Sequence, residues 1–279
     1  MGKVAVIGLC GNSLFFGVDR FHEPGQTLSA NACFEEIGGK GINQAVAAAR
    51  MGAEVRFLAA VGRDADGEKC RLAAQSHGVI PTLAVKEGER TAVACILTDR
   101  LGENRVTVYR GASLCVEDVL AFESAIAASD ILLLQQEVPP EVNEEAVRLA
   151  EKHGVRVILN PAPARLLSPA LAERIYLVTP NEHEQKLVGH LPFRNCAATL
   201  GAEGCRLNGQ HIPALPVKAV DTTGAGDTFS GVLAAFLAEG KSLEEACGLA
   251  VRASGLSVTR PGVLEAMPER EELERMMEI

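Results

Sequence analysis

Asp130-Ile131-Leu132-Leu133-Leu134, the helical run Glu141–His153, Gly154 and then Val155-Arg156-Val157-Ile158-Leu159-Asn160 spell out a strand, a helix and a second strand. Both apolar runs are continuous rather than alternating, which marks strands buried on two faces. Gly154 supplies the left-handed stop that ends many helices. Parallel strands need a crossover of this length, so the unit reads as βαβ. The rhythm repeats on either side. Val4–Gly8 and Val55–Val61 read as strands, with an Ala-rich helix over Gly41–Met51 between them, ended by Gly52. Gly67–His77 is a helix closed by Gly78, Ile175–Val178 and Cys196–Leu200 are strands, and Asp227–Ala238 and Ser242–Ser254 are helices. Continuous strands alternating with helices predict an α/β fold with a mostly parallel sheet covered on both faces. Ligands of such sheets bind beyond the carboxyl ends of the strands.

Two segments break the rhythm. Residues Leu14–Phe34 and Arg90–Arg110 are β-like and rich in turns. Thr91–Thr98, the polar turn Asp99–Asn104 and Arg105–Tyr109 read as a hairpin. The expectation is one domain over residues 1–279 with a small separate sheet built from about 12–34 and 90–110, acting as a lid or a dimer contact. Phe15, Phe16, Val18 and Phe21 would give that sheet an apolar surface able to pair with a second copy, so a homodimer through the lid strands is expected.

The 279 residues are 47% hydrophobic and 23% charged, enough for a large core. The net charge of -9 argues against non-specific nucleic-acid binding. None of the eight cysteines forms a C-x-x-C pair, so they read as reduced thiols of a cytoplasmic protein. The N-terminal apolar run is of strand length with no cleavage site behind it, and no run approaches the length of a membrane span. The six histidines show no ligand spacing, and Glu269–Glu274 reads as a solvated helix face.

Chemistry concentrates in two glycine-rich turns, each opening a helix. Asp221-Thr222-Thr223-Gly224-Ala225-Gly226-Asp227-Thr228-Phe229 places small residues where backbone N–H groups can meet an anion, with the helix dipole adding to the attraction. A carboxylate in that turn can take a proton from an incoming hydroxyl while its neighbours stabilise a transferring phosphoryl group. Asp227 reads equally as a helix N-cap when the pattern stands alone. Ile37-Gly38-Gly39-Lys40-Gly41-Ile42-Asn43-Gln44 is the second turn, and it is neither a P-loop nor a dinucleotide fingerprint. Lys40 and Asn43 are placed to donate to ligand hydroxyls. A plain turn with a solvated lysine is the alternative.

Taken together, Gly38-Gly39-Lys40-Gly41-x-Asn43-Gln44-Ala45 and Asp221–Phe229 resemble the signatures of the ribokinase family, the PfkB-type carbohydrate kinases. Asn160-Pro161-Ala162-Pro163-Ala164, Thr179-Pro180-Asn181-Glu182-x-Glu184, Thr199-Leu200-Gly201 and Val258-Thr259-Arg260-x-Gly262 fit in order, so the resemblance spans nearly the whole chain. It implies a three-layer α/β/α sandwich with a β-sheet lid. It also implies an ATP-dependent kinase with Asp227 as base and Gly224, Ala225 and Gly226 as the anion hole. By the same resemblance, Gly11, Ser13, Gly38, Gly39, Lys40, Asn43 and Glu137 would meet the hydroxylated acceptor. Asn181, Thr199, Gly201 and Gly204 would face the nucleotide, and Glu184 would act indirectly on Mg2+. Asp221, Thr223, Ser257, Arg260 and Gly262 would surround a monovalent cation such as K+, with a surface ion pair the alternative role for Arg260.

Two departures qualify this. The family follows its first strand with an Asn and, two residues on, an Asp that grips sugar hydroxyls. Ungapped counting puts Gly11 and Ser13 there. The stretch after Glu184 is also short, and Leu187–Asn195 holds little beyond a turn. The first departure opens the alternative of a nucleoside or other non-sugar hydroxymethyl acceptor. The second opens that of a non-catalytic binding relic with a more open or weaker ATP site.

Overall fold

The computed structural model describes residues 1–277. In chain order the elements are β1 (Lys3–Ile7), β2 (Gly11–Gly17), β3 (Ala32–Gly38), α1 (Lys40–Arg50), β4 (Glu54–Gly62), α2 (Ala65–Ser76) and β5 (Val79–Lys86). There follow β6 (Ala92–Thr98), β7 (Asn104–Tyr109), α3 (Val116–Ala121), α4 (Glu123–Ala127), β8 (Ile131–Gln135), α5 (Pro140–His153) and β9 (Arg156–Asn160). The remainder is α6 (Pro169–Ala172), β10 (Leu177–Val178), α7 (Glu182–Val188), β11 (Ala197–Thr199), β12 (Cys205–Leu207), β13 (Gln210–Ile212), α8 (Ala225–Ala238), α9 (Leu243–Ser257) and α10 (Arg270–Met277).

Six strands form an all-parallel sheet in the order β10-β9-β8-β1-β4-β5. The continuous apolar runs split by parity, as a two-faced sheet requires. Ile131 and Leu133 of β8 pack with α1, α8 and α9, while Leu132 and Leu134 pack with α3, α4 and α5. Val4 and Val6 against Ala5 and Ile7 divide β1 in the same way. Each fully buried aliphatic side chain contributes about 1.5–3 kcal/mol, so the two layers of helices are fixed by sequence parity. Strand order reverses between β1 and β8, and the crevice over their carboxyl ends is where such folds bind ligands.

The second sheet, β3-β2-β6-β7, rises from that crevice. Its strands are Gly11–Gly17 and Ala32–Gly38 rather than a continuous 12–34, because residues 18–31 form no strand. The hairpin β6–β7 pairs as expected. Val18 and Phe21 fall outside the strands: Val18 is buried, and Phe21 lies under the Arg105 guanidinium at 4.1 Å.

Three further expectations need correction. Of Ile175–Val178 only Leu177 and Val178 pair as a strand, while Ile175 is a buried core residue. The segment Cys196–Leu200 was expected to extend the parallel sheet. It contributes β11 to a third, antiparallel sheet, β11-β12-β13, which adjoins the end of the main sheet through isolated bridges Val178↔Cys196 and Asn181↔Thr199. The cause is the Asn208-Gly209 turn, whose two positive φ angles, 48° and 92°, close a tight hairpin. Glu269–Glu274 lies mostly in α10, which is not a purely solvated face: Leu273 is fully buried and Glu272 pairs with Arg260. As expected, little beyond a turn joins α7 to β11.

The entry to α1 is a tight backbone contact at the crevice. Gly39 has φ 111°, and a Cβ there would stand 2.7 Å from the Leu9 carbonyl oxygen. A Cβ on Gly41 would stand 2.7 Å from the Gly8 carbonyl carbon. Gly41→Ala therefore has to push α1 off β1. Urea unfolding is expected to show a loss of about 1–3 kcal/mol, although alanine has the higher helix propensity.

Candidate active site

Asp227 lies in the first turn of α8, which begins at Ala225, two residues earlier than expected. Gly224, with φ 75°, occupies the N-cap position, and its carbonyl accepts the first helical bond from the Thr228 N–H at 2.8 Å. Asp227 is thus not the cap. Its carboxylate is buried and accepts from Asn43 Nδ2 and Gln44 Nε2, both at 2.9 Å. The two amides come from the first turns of α1, so the two glycine-rich turns of the sequence meet at one carboxylate.

A line of buried amides stands behind it. Gln135 Nε2 donates to Gln44 Oε1 at 2.7 Å, Gln44 Nε2 also reaches Asn160 Oδ1 at 3.2 Å, and Asn160 Nδ2 donates to the Thr179 carbonyl at 3.0 Å. Gln44 and Asn160 lie inside the sequence motifs, but nothing in their spacing showed that they act together. Gln135 was not anticipated; its only signal is a polar residue closing an apolar strand.

A cavity of about 310 Å3 opens in front of Asp227. It brings together Gly11, Ser13, Gly38, Gly39, Lys40, Asn43, Glu137, Thr223, Gly224 and Asp227, and its roof is the lid sheet, through Phe15, Ile96, Val106 and Val108. Asn12, between the two anticipated positions, also lines it. Its side chain is buried and donates to Glu35 at 3.1 Å and Asp66 at 2.9 Å, tying the lid to α2. Ala225 and Gly226 sit beside the cavity in the first turn of α8. A Cβ on Gly226 would meet no atom within 4 Å, so nothing in the protein's own packing calls for glycine there. The Ala225 N–H reaches the Thr222 carbonyl at 3.3 Å, whereas those of Gly226 and Asp227 have no backbone acceptor among the described residues.

The Lys40 N–H donates to Glu137 Oε2 at 2.7 Å. Asp227, and then Glu137 and Glu184, hold the Lys40 ammonium above its ordinary value against the cost of its burial. Burial pushes the Glu137 carboxyl up from its ordinary 4.5 despite the nearby ammonium, and Asp227 adds to the rise. Removing the ammonium takes away a charge that offsets these carboxylates.

The remaining anticipated residues form two groups outside this cavity. Asn181 caps α7, accepting from the Glu184 N–H at 2.8 Å, and Glu184 returns the contact to the Asn181 N–H at 2.9 Å and Nδ2 at 3.0 Å. Thr199 stands beside Asn181 across a β-bridge, and Gly201 opens the turn that follows. Gly204, with φ 100°, is required by β13, because a Cβ there would lie 2.2 Å from the Ile212 carbonyl oxygen. Among the described residues no group of three or more His, Cys, Asp or Glu side chains could hold a metal by itself. In the second group, Asp221 accepts from the Thr223 N–H at 2.9 Å and the Gly262 N–H at 3.2 Å, joining the loop before α8 to the loop after α9. Ser257 is buried and bonds the Ser254 carbonyl, and Arg260 takes the ion-pair role with Glu272.

The chain matches the model of the pfkB family carbohydrate kinases over residues 1–270. It is 35% identical over 294 residues to the ribokinase of Bacillus subtilis, covering 99% of this chain and 100% of that one. Its structure superposes on the ribokinase of Thermotoga maritima with a TM-score of 0.90 and 32% identity, over 100% of both chains. Against an Arabidopsis thaliana ribokinase solved with ribose and ATP the TM-score is 0.87 at 27% identity, again over 100% of both chains. No helix among the described residues is long and apolar enough to cross a membrane.

Lys40→Met is expected to cost about 1–3 kcal/mol more at pH 8 than at pH 5. Burial raises the Glu137 carboxyl in the folded state, so acid neutralises this carboxylate, which the variant leaves without the ammonium, and rising pH exposes the loss. Urea titrations at the two pH values check it.

Proposed function

The chain belongs to the pfkB family of carbohydrate kinases, and we propose that it transfers the γ-phosphate of ATP to a hydroxyl of a small sugar with Asp227 as the base. The observation that carries this is the buried Asp227 carboxylate, held by two amides at the floor of a cavity beneath the lid sheet. The acceptor oxygen forms the new bond to the γ-phosphorus, the bond from that phosphorus to the β,γ-bridging oxygen breaks, and the hydroxyl proton passes to Asp227. The two amides donate to the carboxylate and fix its orientation, so little reorganisation accompanies the proton transfer.

Gly224, Ala225 and Gly226 are assigned to the anion hole. The open space over Gly226 and the free N–H groups in that turn support the assignment, since a transferring phosphoryl group needs donors and close approach. Lys40 adds a cation beside the reacting groups, and Gly38, Gly39, Asn43 and Glu137 line the acceptor side. Asn181, Thr199, Gly201 and Gly204 are assigned to the nucleotide. Both Glu184 oxygens are engaged by Asn181, so this carboxylate suits contact with the water shell of Mg2+ better than direct ligation. Bound Mg2+ would neutralise phosphate charge. The loops joined by Asp221 offer backbone carbonyls for a monovalent cation, with Arg260 contributing through its backbone. Phe34, Val106 and Val108 of the lid are half exposed or more, and a second copy packed on the lid is the cover that we assign to them. Division into one domain with a lid follows, because the lid strands leave and re-enter the main fold at the cavity.

Asp227→Asn is expected to lower kcat by about 10²–10⁴-fold. It also sets an amide N–H2 against those of Asn43 or Gln44, so an unfolding measurement accompanies the assay, and the assignment falls if the folded variant keeps its turnover. Gly226→Ala separates folding from function in the opposite sense. Alanine raises helix propensity by about 0.8–1 kcal/mol, and the space is open, so the melting temperature should rise while kcat falls. An alanine variant that is more stable and equally active would remove Gly226 from the anion hole.

A further inference from the structure

Leu9 and Glu137, which wall the acceptor cavity, also wall a second cavity of about 280 Å3, lined further by Gly8, Ala60, Arg110, Pro140 and Arg165. Both cavities lie over the carboxyl ends of β1 and β8, at the reversal in strand order. The first opens on the side of α1 and α8. The second opens on the opposite side, at the start of α5.

Two guanidinium groups meet there. Arg165 is anchored: its Nη2 donates to the Val138 carbonyl at 2.7 Å and its backbone N–H to Gln136 Oε1 at 3.2 Å. Its Nε is shut off from solvent without an acceptor among the described residues. Arg110 is exposed and directly follows β7 of the lid. Among the described residues neither forms an ion pair within 4.0 Å, although Glu137 and Glu141 also line the cavity. Glu137 is engaged from the other side by the Lys40 N–H. Burial, and then the Arg110 charge, hold Arg165 below its ordinary value, and Glu141 offsets less than Arg110 imposes. Two like charges close enough to oppose each other are relieved by a carboxylate or phosphate. The acceptor cavity points the same way. Ser13 lines it where the family pattern has an aspartate, so a negative charge that would repel an anionic acceptor is missing.

We propose that the acceptor is an anionic sugar, bearing a carboxylate or phosphate remote from the hydroxyl that is phosphorylated, and that Arg110 and Arg165 hold this group across the Leu9–Glu137 crest. The proposal rests on the sugar-kinase reading and leaves the transfer step unchanged. Because Arg110 follows a lid strand, the anion links the lid to the body of the enzyme.

The test measures ADP release with two matched pairs, D-gluconate against D-glucose and D-fructose 6-phosphate against D-fructose. One anionic member is expected to exceed its neutral parent about 10- to 100-fold in kcat/KM, and which pair responds distinguishes carboxylate from phosphate. Arg110→Gln and Arg165→Gln should each narrow that ratio about tenfold or more, mainly through KM. Arg165→Gln loses the Val138 contact and its folding is checked by melting. Arg110→Gln alters an exposed side chain and keeps the test decisive. Neutral parents that match their anions, or a ratio that survives Arg110→Gln, would overturn the proposal while leaving the kinase reading standing. If none of the four turns over, ADP release with D-ribose decides the kinase reading, and calorimetry with gluconate and fructose 6-phosphate in the absence of nucleotide decides the anion site. Binding that Arg110→Gln weakens supports it, and no binding at millimolar ligand, or binding indifferent to Arg110, refutes it.

Discussion

Asp227 accepts one amide at each oxygen, Asn43 at Oδ2 and Gln44 at Oδ1, and these contacts fix the approach of two helices far apart in sequence. A buried carboxylate is costly unless its lone pairs are filled. Here the filling comes from the first turns of α1, so α1 and α8 must both start at the crevice. The backbone makes room for this. Gly39 and Gly41 let α1 close onto Leu9 and Gly8, and Gly224 takes the left-handed conformation that starts α8 two residues before Asp227. The amide line through Gln44, Gln135 and Asn160 carries the constraint on into β8 and β9.

The electrostatics follow from the same geometry. Lys40, at the first position of α1, is brought to Asp227, Glu137 and Glu184 together, and the summed attraction outweighs the desolvation of its ammonium. Glu137 experiences the reverse balance, with burial exceeding the help it receives. It sits on the crest between two cavities and faces a lysine on one side and Arg110 on the other. The reaction centre thus sets cations and carboxylates side by side and is strongly polarised locally, which suits a reaction that moves negative charge without creating much of it.

The parallel sheet was legible because parity of burial writes itself into continuous apolar runs, and the helix ends were legible where a glycine closes them, as at Gly52, Gly78 and Gly154. The convergence of Gly38–Asn43 with Asp221–Asp227 was legible through the ordered family motifs. Other features were not. The third sheet was missed although Asn208-Gly209 is a strong hairpin signal, because its strands are too short to show a period. Gln135 was missed because a buried amide has no periodic signature and gains meaning only from its partner. The lid boundaries shifted because β2 and β3 both end at glycines, Gly11 and Gly38, which read as turn residues until the pairing Gly11↔Gly38 is seen.

That pairing has a mechanical consequence. Strand β3 runs from Ala32 to Gly38, and after the single residue Gly39 α1 begins. At about 3.3 Å per residue the strand is a lever arm of roughly 20 Å, pinned at Gly38, Gly11 and Ala92 where three strands meet. A swing of several ångströms at the Ala32 end becomes a fraction of an ångström at Gly38. The junction therefore isolates its two ends: any displacement at the far end of the cover leaves the lysine and asparagine that follow its fulcrum in register with Asp227.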